Sequence, residues 1–205
     1  GYRYAGVFET FADGRDVGVE GESGILACVP PECVRDWNRS LGELIFTNGA
    51  RFDLYTAEKP NLLRGPQHHR AWVDELVKFP HMGEAWDQLQ FGLRLGENPQ
   101  IVVTTTPLPV PLLRELVASP TTKLVRGSTL ENVRNLSAKR VDELHARYAG
   151  SSLGRQELHG EIIDDYEGAL WRREMIDESR VLSAPPLRRI VIGVEGEYRF
   201  SNDEA

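Results

Sequence analysis

Cysteine is nearly absent: Cys28 and Cys33 are the only two. Two thiols cannot supply the four ligands of a structural zinc site, nor a disulfide scaffold; they read as reduced, partly buried residues of a cytosolic protein. Positive charge is in deficit, with 24 Lys and Arg against 31 Asp and Glu and a net charge of −7. That argues against a passive DNA coat, which is usually basic, but does not exclude a DNA enzyme with a local basic face. Long apolar runs are missing. Ile101–Val103 and Ile190–Ile192 are typical, whereas a spanning helix needs about 20 consecutive apolar residues, so no segment reads as crossing a membrane. Nor does an apolar stretch follow Gly1-Tyr2-Arg3-Tyr4, as a secretory signal requires. The missing initiator methionine points to a fragment or a processed chain. What is present, 40% hydrophobic and 27% charged residues in 205, is the balance of one folded domain, or one with a fragment of a second.

The pattern along the chain predicts alternating strands and helices. Tyr4–Phe8 reads as a buried strand, Thr10–Val17 as weak helix diluted by Gly14 and Gly18, and Ile25–Val29 as an apolar run stopped by Pro30–Pro31. Asn48–Gly49 between apolar runs predicts a tight β-hairpin over Leu44–Tyr55, because both residues tolerate positive φ. Ala71–Val73 is a short apolar run ending in Asp74–Glu75. Glu84–Leu95 has helical spacing, with Ala85, Trp86, Leu89 and Leu93 on one face. Ile101–Val103 is a strand broken by Thr104-Thr105-Thr106-Pro107, and Pro111 opens a helix. Lys123–Val125 reads as a further strand. Ser137 caps a helix through Tyr148, with Leu136 and Val141 as a staple, and Ser152–Ile163 is another helix. Residues 164–189 read as a linker and Ile190–Val194 as one more strand. The fold class is α/β, a mainly parallel sheet with flanking helices and one β-hairpin.

Two segments carry chemistry. A strand ending in Asp74–Glu75 puts two carboxylates at its carboxyl end, where open α/β sheets bind ligands. In nucleotide hydrolysis one such acid holds Mg²⁺ and the other orients the attacking water. Hydroxyls at the end of the next strand, Thr104–Thr106, could sense a phosphate and relay its loss; as a plain alternative, threonines and proline end a strand in a capped turn. His68, His69, His81, His145 and His159 lack H-E-x-x-H spacing, and Gly150-Ser151-Ser152 reads as a helix cap rather than a nucleophile elbow. Arg134, Lys139, Arg140, Arg147 and Arg155 form a modest basic cluster that, with acids interspersed, reads as a solvated face.

Together these segments resemble the large terminase subunit of tailed bacteriophages, the motor that packages viral DNA. The likeness runs in order through Gly21–Leu26, Leu63–His68, Asp74–Leu76, Ala85–Asp87, Phe91–Gly96, Val102–Pro107, Leu112–Leu116, Arg126–Thr129, Gly154–Leu158 and Gly168–Trp171, over about residues 4–195. The resemblance implies a P-loop NTPase-like (RecA/ASCE-type) sheet. It makes Asp74–Glu75 the Walker B pair, Asp74 for Mg²⁺ and Glu75 as catalytic glutamate. It makes Thr104, Thr105 and Thr106 the motif coupling ATP hydrolysis to DNA movement, and puts Arg64 where some terminases place an arginine finger serving the neighbouring subunit.

It further implies double-stranded viral DNA, a portal protein, a small terminase subunit and a homo-oligomeric ring as partners, in the host cytoplasm and with no membrane. Two departures stand out. The family's N-terminal phosphate-binding loop is lacking: no G-x-x-x-x-G-K-S/T occurs. Glu195 follows Ile190–Val194 where the family's ribonuclease-H-like nuclease has an aspartate. The expected organisation is an incomplete ATPase domain over 1–163, a linker over 164–189 and the start of a nuclease domain over 190–205. The alternatives are a non-catalytic prophage remnant or structural interaction domain keeping the fold, and a helicase-like nucleic-acid-dependent NTPase.

Overall fold

The computed structural model describes residues 1–129, 131, 137–148, 151–163, 175 and 178–180. The chain divides into two units, Gly1–Tyr166 and Glu167–Ala205, and every element below lies in the first. The predicted strand at the N-terminus is β1 (Arg3–Phe8), and it forms the middle of a six-stranded sheet. The others are β2 (Val34–Asn38), β3 (Glu43–Phe46), β4 (Arg51–Thr56), β5 (Arg70–Asp74) and β6 (Gln100–Thr104), in the order β2-β3-β4-β1-β5-β6. Strands β4, β1, β5 and β6 are mutually parallel; β3 and β2 add antiparallel to their edge.

Alternation along the strands builds two cores. Ala5, Val7, Ala71 and Val73 face one side and pack with Leu63, Leu76, Phe79, Ala85 and Leu89. Here α2 (Met82–Gly92) buries Ala85 and Leu89, and α3 (Pro111–Ala118), with Pro111 at its first position, packs Leu112 and Leu116. On the other side Phe8, Phe52 and Leu54 pack with Val19 and Leu44. This face is covered by π-helical turns at Asp13–Val19 and the short α1 (Ile25–Cys28), into which the apolar run at Ile25–Val29 folds. Cys28 and Cys33 are exposed rather than partly buried, because they flank the turn around Pro30–Pro31 at the surface.

Several expectations change. The single hairpin is a three-stranded meander, since β2 pairs with β3. A register shift between Val34 and Asp36 breaks the period-2 pattern that would have marked β2 as a strand. At the β3–β4 turn only Gly49 takes positive φ (79°); Asn48 instead accepts the Ala50 N–H on its side-chain oxygen at 2.9 Å. Helix α2 stops short of Leu95 because Leu95 N–H donates to the His68 carbonyl (3.1 Å), pulling the chain alongside the approach to β5.

Lys123–Val125 forms no strand: all three residues are exposed, Val125 at 79%, and none pairs with the six-stranded sheet. Helix α4 (Ala138–Tyr148) follows Ser137 as expected. Helix α5 (Ser152–His159) ends early because Gly160 adopts a left-handed conformation (φ 67°) and sends its N–H back to the Gln156 carbonyl. Its start is capped by Ser151, whose Oγ accepts the Gly154 N–H at 3.0 Å. The staple residue Leu136, Gly168–Trp171 and Glu195 lie outside the described residues.

Candidate active site at the ends of β5 and β6

Parallel pairing in register brings Asp74 opposite Thr104 at the carboxyl ends of adjacent strands. The Thr104 hydroxyl donates to Asp74 Oδ1, and accepts the Trp72 indole N–H at 3.3 Å. Trp72 makes the apolar run before the acids look irregular in sequence. Its ring nevertheless fills the core, edge-on to Phe8 at 5.1 Å, while its one polar atom fixes the hydroxyl that touches Asp74. Nothing in the sequence pattern singled out this role, because a tryptophan in a short strand reads as packing alone.

Glu75 leaves the strand in a left-handed conformation, φ 54° and ψ 50°, the one non-glycine residue with positive φ among those described. For a residue with a long side chain this costs roughly 1–2 kcal/mol, and such strain gathers at sites where geometry matters more than stability. It opens the turn Leu76–Lys78, whose Val77 N–H is held by Thr105 Oγ1 at 3.2 Å. Thr106 Oγ1 donates to Glu75 Oε2 at 3.4 Å, and Lys78 Nζ lies 3.9 Å from the same oxygen. All three threonines therefore engage the end of β5: Thr104 with the first acid, Thr105 with the turn behind the second, and Thr106 with the second acid itself.

The donors present are hard oxygens, the set Mg²⁺ prefers when substrate phosphates complete its shell. Asp74 Oδ1 is occupied by Thr104, and Oδ2 has no partner among the described residues. The site thus fits Mg²⁺ through one carboxylate. No group of three or more His, Cys, Asp or Glu that could hold a metal by itself occurs among the described residues.

Arg64 is not part of this cluster. It follows the short turn Pro60–Leu63 and lies beside the far end of α2, where His68 N–H donates to the Gly92 carbonyl at 2.9 Å. Strand β5 separates the two places, and its four steps from Arg70 to Asp74 span about 13 Å. His68 and His69 point to different neighbours. His68 is 2% exposed and lies edge-on to Tyr55, and His69 accepts the Arg3 N–H on Nδ1.

A family model described as terminase large subunit, T4likevirus-type, N-terminal, matches residues 3–178. The chain belongs to that family. Among solved structures, this large-terminase segment is similar to the large terminase ATPase domain of Thermus phage P74-26. That match has 16% identity and a TM-score of 0.51, covering 80% of this chain and 77% of that one. It is also similar to the large terminase of a thermophilic bacteriophage solved with ADP, at 16% identity and a TM-score of 0.58 over 79% of this chain and 40% of that one. The same phage protein with ATP-γ-S gives a TM-score of 0.56. At such identities the likeness establishes the fold, and the family match carries the membership.

Proposed function

We propose that this terminase segment supplies the hydrolytic acids and the coupling element of an ATP-driven DNA-packaging motor. The observation that carries the reading is the pairing of each acid with its own threonine, Asp74 with Thr104 and Glu75 with Thr106. ATP is the substrate, in keeping with solved relatives that hold ADP and ATP-γ-S. Mg²⁺, when bound, would neutralise charge on the phosphate oxygens, held here by Asp74. Glu75 accepts a hydrogen bond from the attacking water and aims it at the terminal phosphorus.

The threonines then read the outcome. A change at Glu75 reaches β6 through Thr106, and a change at Asp74 reaches it through Thr104. Arg64, at the opposite end of β5, serves the site of a neighbouring subunit. We further assign residues 1–163 to the ATPase part, 164–189 to a linker and 190–205 to the start of a nuclease. Double-stranded viral DNA, a portal protein, the small terminase subunit and a homo-oligomeric ring in the host cytoplasm are the partners and setting this implies.

A second reading, a non-catalytic remnant keeping the fold, is favoured by one observation: no G-x-x-x-x-G-K-S/T cradle is written in these residues. The assembled full-length large subunit distinguishes the two. Glu75→Gln should abolish ATP hydrolysis. Arg64→Ala should lower it by about 10³-fold, the scale of arginine fingers, with nucleotide affinity nearly unchanged. Wild-type turnover in Glu75→Gln would refute the hydrolytic role, and a full-length wild type without turnover would establish the remnant.

A further inference from the structure

At the amino end of β5, away from the acids, Arg64, Gly65, Gln88, Phe91 and Arg94 frame a hollow of about 540 Å³. That is the size of a small-ligand site. Among the described residues no ion pair or side-chain hydrogen bond engages either guanidinium, although acids outnumber bases in this chain. Phe91 is 72% exposed, and Leu62, two residues before Arg64, is exposed too. Gly65 holds φ 114°, and a Cβ placed there would meet nothing within 4 Å, so the hollow is open beside Arg64. Gln88 and Phe91 stand three apart on α2 and share its face. Arginine with exposed aromatic and aliphatic side chains is the composition of a subunit contact.

We propose that Arg64 and Arg94 act as a pair that grips the phosphate chain of a nucleotide held at the Asp74–Glu75 end of a second copy. Phe91 and Leu62 make the apolar contact, and Gln88 supplies a hydrogen-bonding edge. The pair rests on Arg64 acting across a subunit boundary and adds Arg94 to it. Its own acids lie beyond the length of β5, so the partner site belongs to another copy. Two planar guanidiniums at one hollow match a compact polyanion by paired hydrogen bonds. A duplex, with a charge every ~1.7 Å, calls for a longer track of cations. The contact joins unlike surfaces, opposite ends of the sheet, the head-to-tail kind of contact from which rings are built when the rotation closes.

The test is ATP turnover by the assembled full-length large subunit. Arg94→Ala should lower kcat about 10²-fold or more, as loss of one aligned donor does, with KM for ATP within about twofold. Arg94→Lys, which keeps the charge without the planar fork, should fall between. Mixed with Glu75→Gln subunits, Arg94→Ala should regain activity, which also shows that the variant folds. Mixed with Arg64→Ala it should regain none, because every interface then lacks one of the pair. Recovery in that last mixture would put Arg94 on the receiving side and overturn the proposal. A wild-type rate for Arg94→Ala beside an impaired Arg64→Ala would overturn the pair and leave Arg64's role standing. Wild-type rates for both would overturn both. Where no mixed ring turns over, the single-variant rates decide.

Discussion

His68 is buried with both ring nitrogens unpartnered among the described residues, and it packs as an aromatic ring against Tyr55. Burial, with Arg3 and His69 nearby, pushes its pKa down to about 4. The folded value is below the unfolded one, so the unfolded chain takes the proton first. The stability contributed by neutral His68 is therefore complete above about pH 6.5 and is lost as pH falls towards 4. The slope is at most about 1.4 kcal/mol per pH unit for one proton. Urea unfolding of wild type and His68→Phe between pH 4 and 7 should give curves that diverge across that window; parallel curves would remove the effect.

The acids and threonines of the site were legible at this same scale, because their types at the ends of apolar runs are unusual enough to notice. The left-handed Glu75 was not, since no residue type announces a strained backbone, and neither was the indole of Trp72 serving Thr104.

At the scale of elements, the glycines that dilute the helix pattern after β1 turn out to position it. A Cβ on Gly18 would stand 2.4 Å from Phe8 Cζ, and one on Gly14 would stand 2.8 Å from Phe8 Cδ2. The Phe8 ring occupies the space those side chains would fill, which lets the π-helical turns lie flat on the sheet. Two magnitudes then compete in Gly18→Ala. Helix propensity favours alanine by about 1 kcal/mol, while overpacking a filled core costs about 1–3 kcal/mol. With contacts this short the second wins, and a net loss of about 1 kcal/mol is expected in chemical denaturation. Adding Phe8→Leu should recover part of the loss, with a coupling of at least about 0.5 kcal/mol. A stabilised Gly18→Ala would show that the ring can move aside.

Other elements were misread for a different reason. Strand β2 was hidden by its register shift, and Lys123–Val125 was over-read because two apolar residues after a lysine say nothing about whether an edge is available to pair with.

For the molecule as a whole, the sheet is polar in charge as well as direction. Arg3, Arg51 and Arg70 open β1, β4 and β5, and Asp74 closes β5 with Glu75 directly after it. Composition alone gave a net acidic protein and hid this arrangement, since strand order and direction decide which end each charge reaches. The acidic end holds the two acids and the threonines that contact them, but a phosphate chain needs more than these. It needs a cradle of backbone N–H groups and a lysine, and no stretch of these 205 residues has the glycine-and-lysine spacing that builds one. Asp74 and Glu75 are themselves only half-buried, so solvent reaches both acids. In water, attraction between charges 4 Å apart is only about 1 kcal/mol, and an open site would hold a nucleotide weakly. The isolated chain should therefore hydrolyse no ATP above background, measured as phosphate release with Mg²⁺ present. Turnover that disappears in Glu75→Gln would overturn this, and would locate a phosphate-binding segment of a different pattern within these residues.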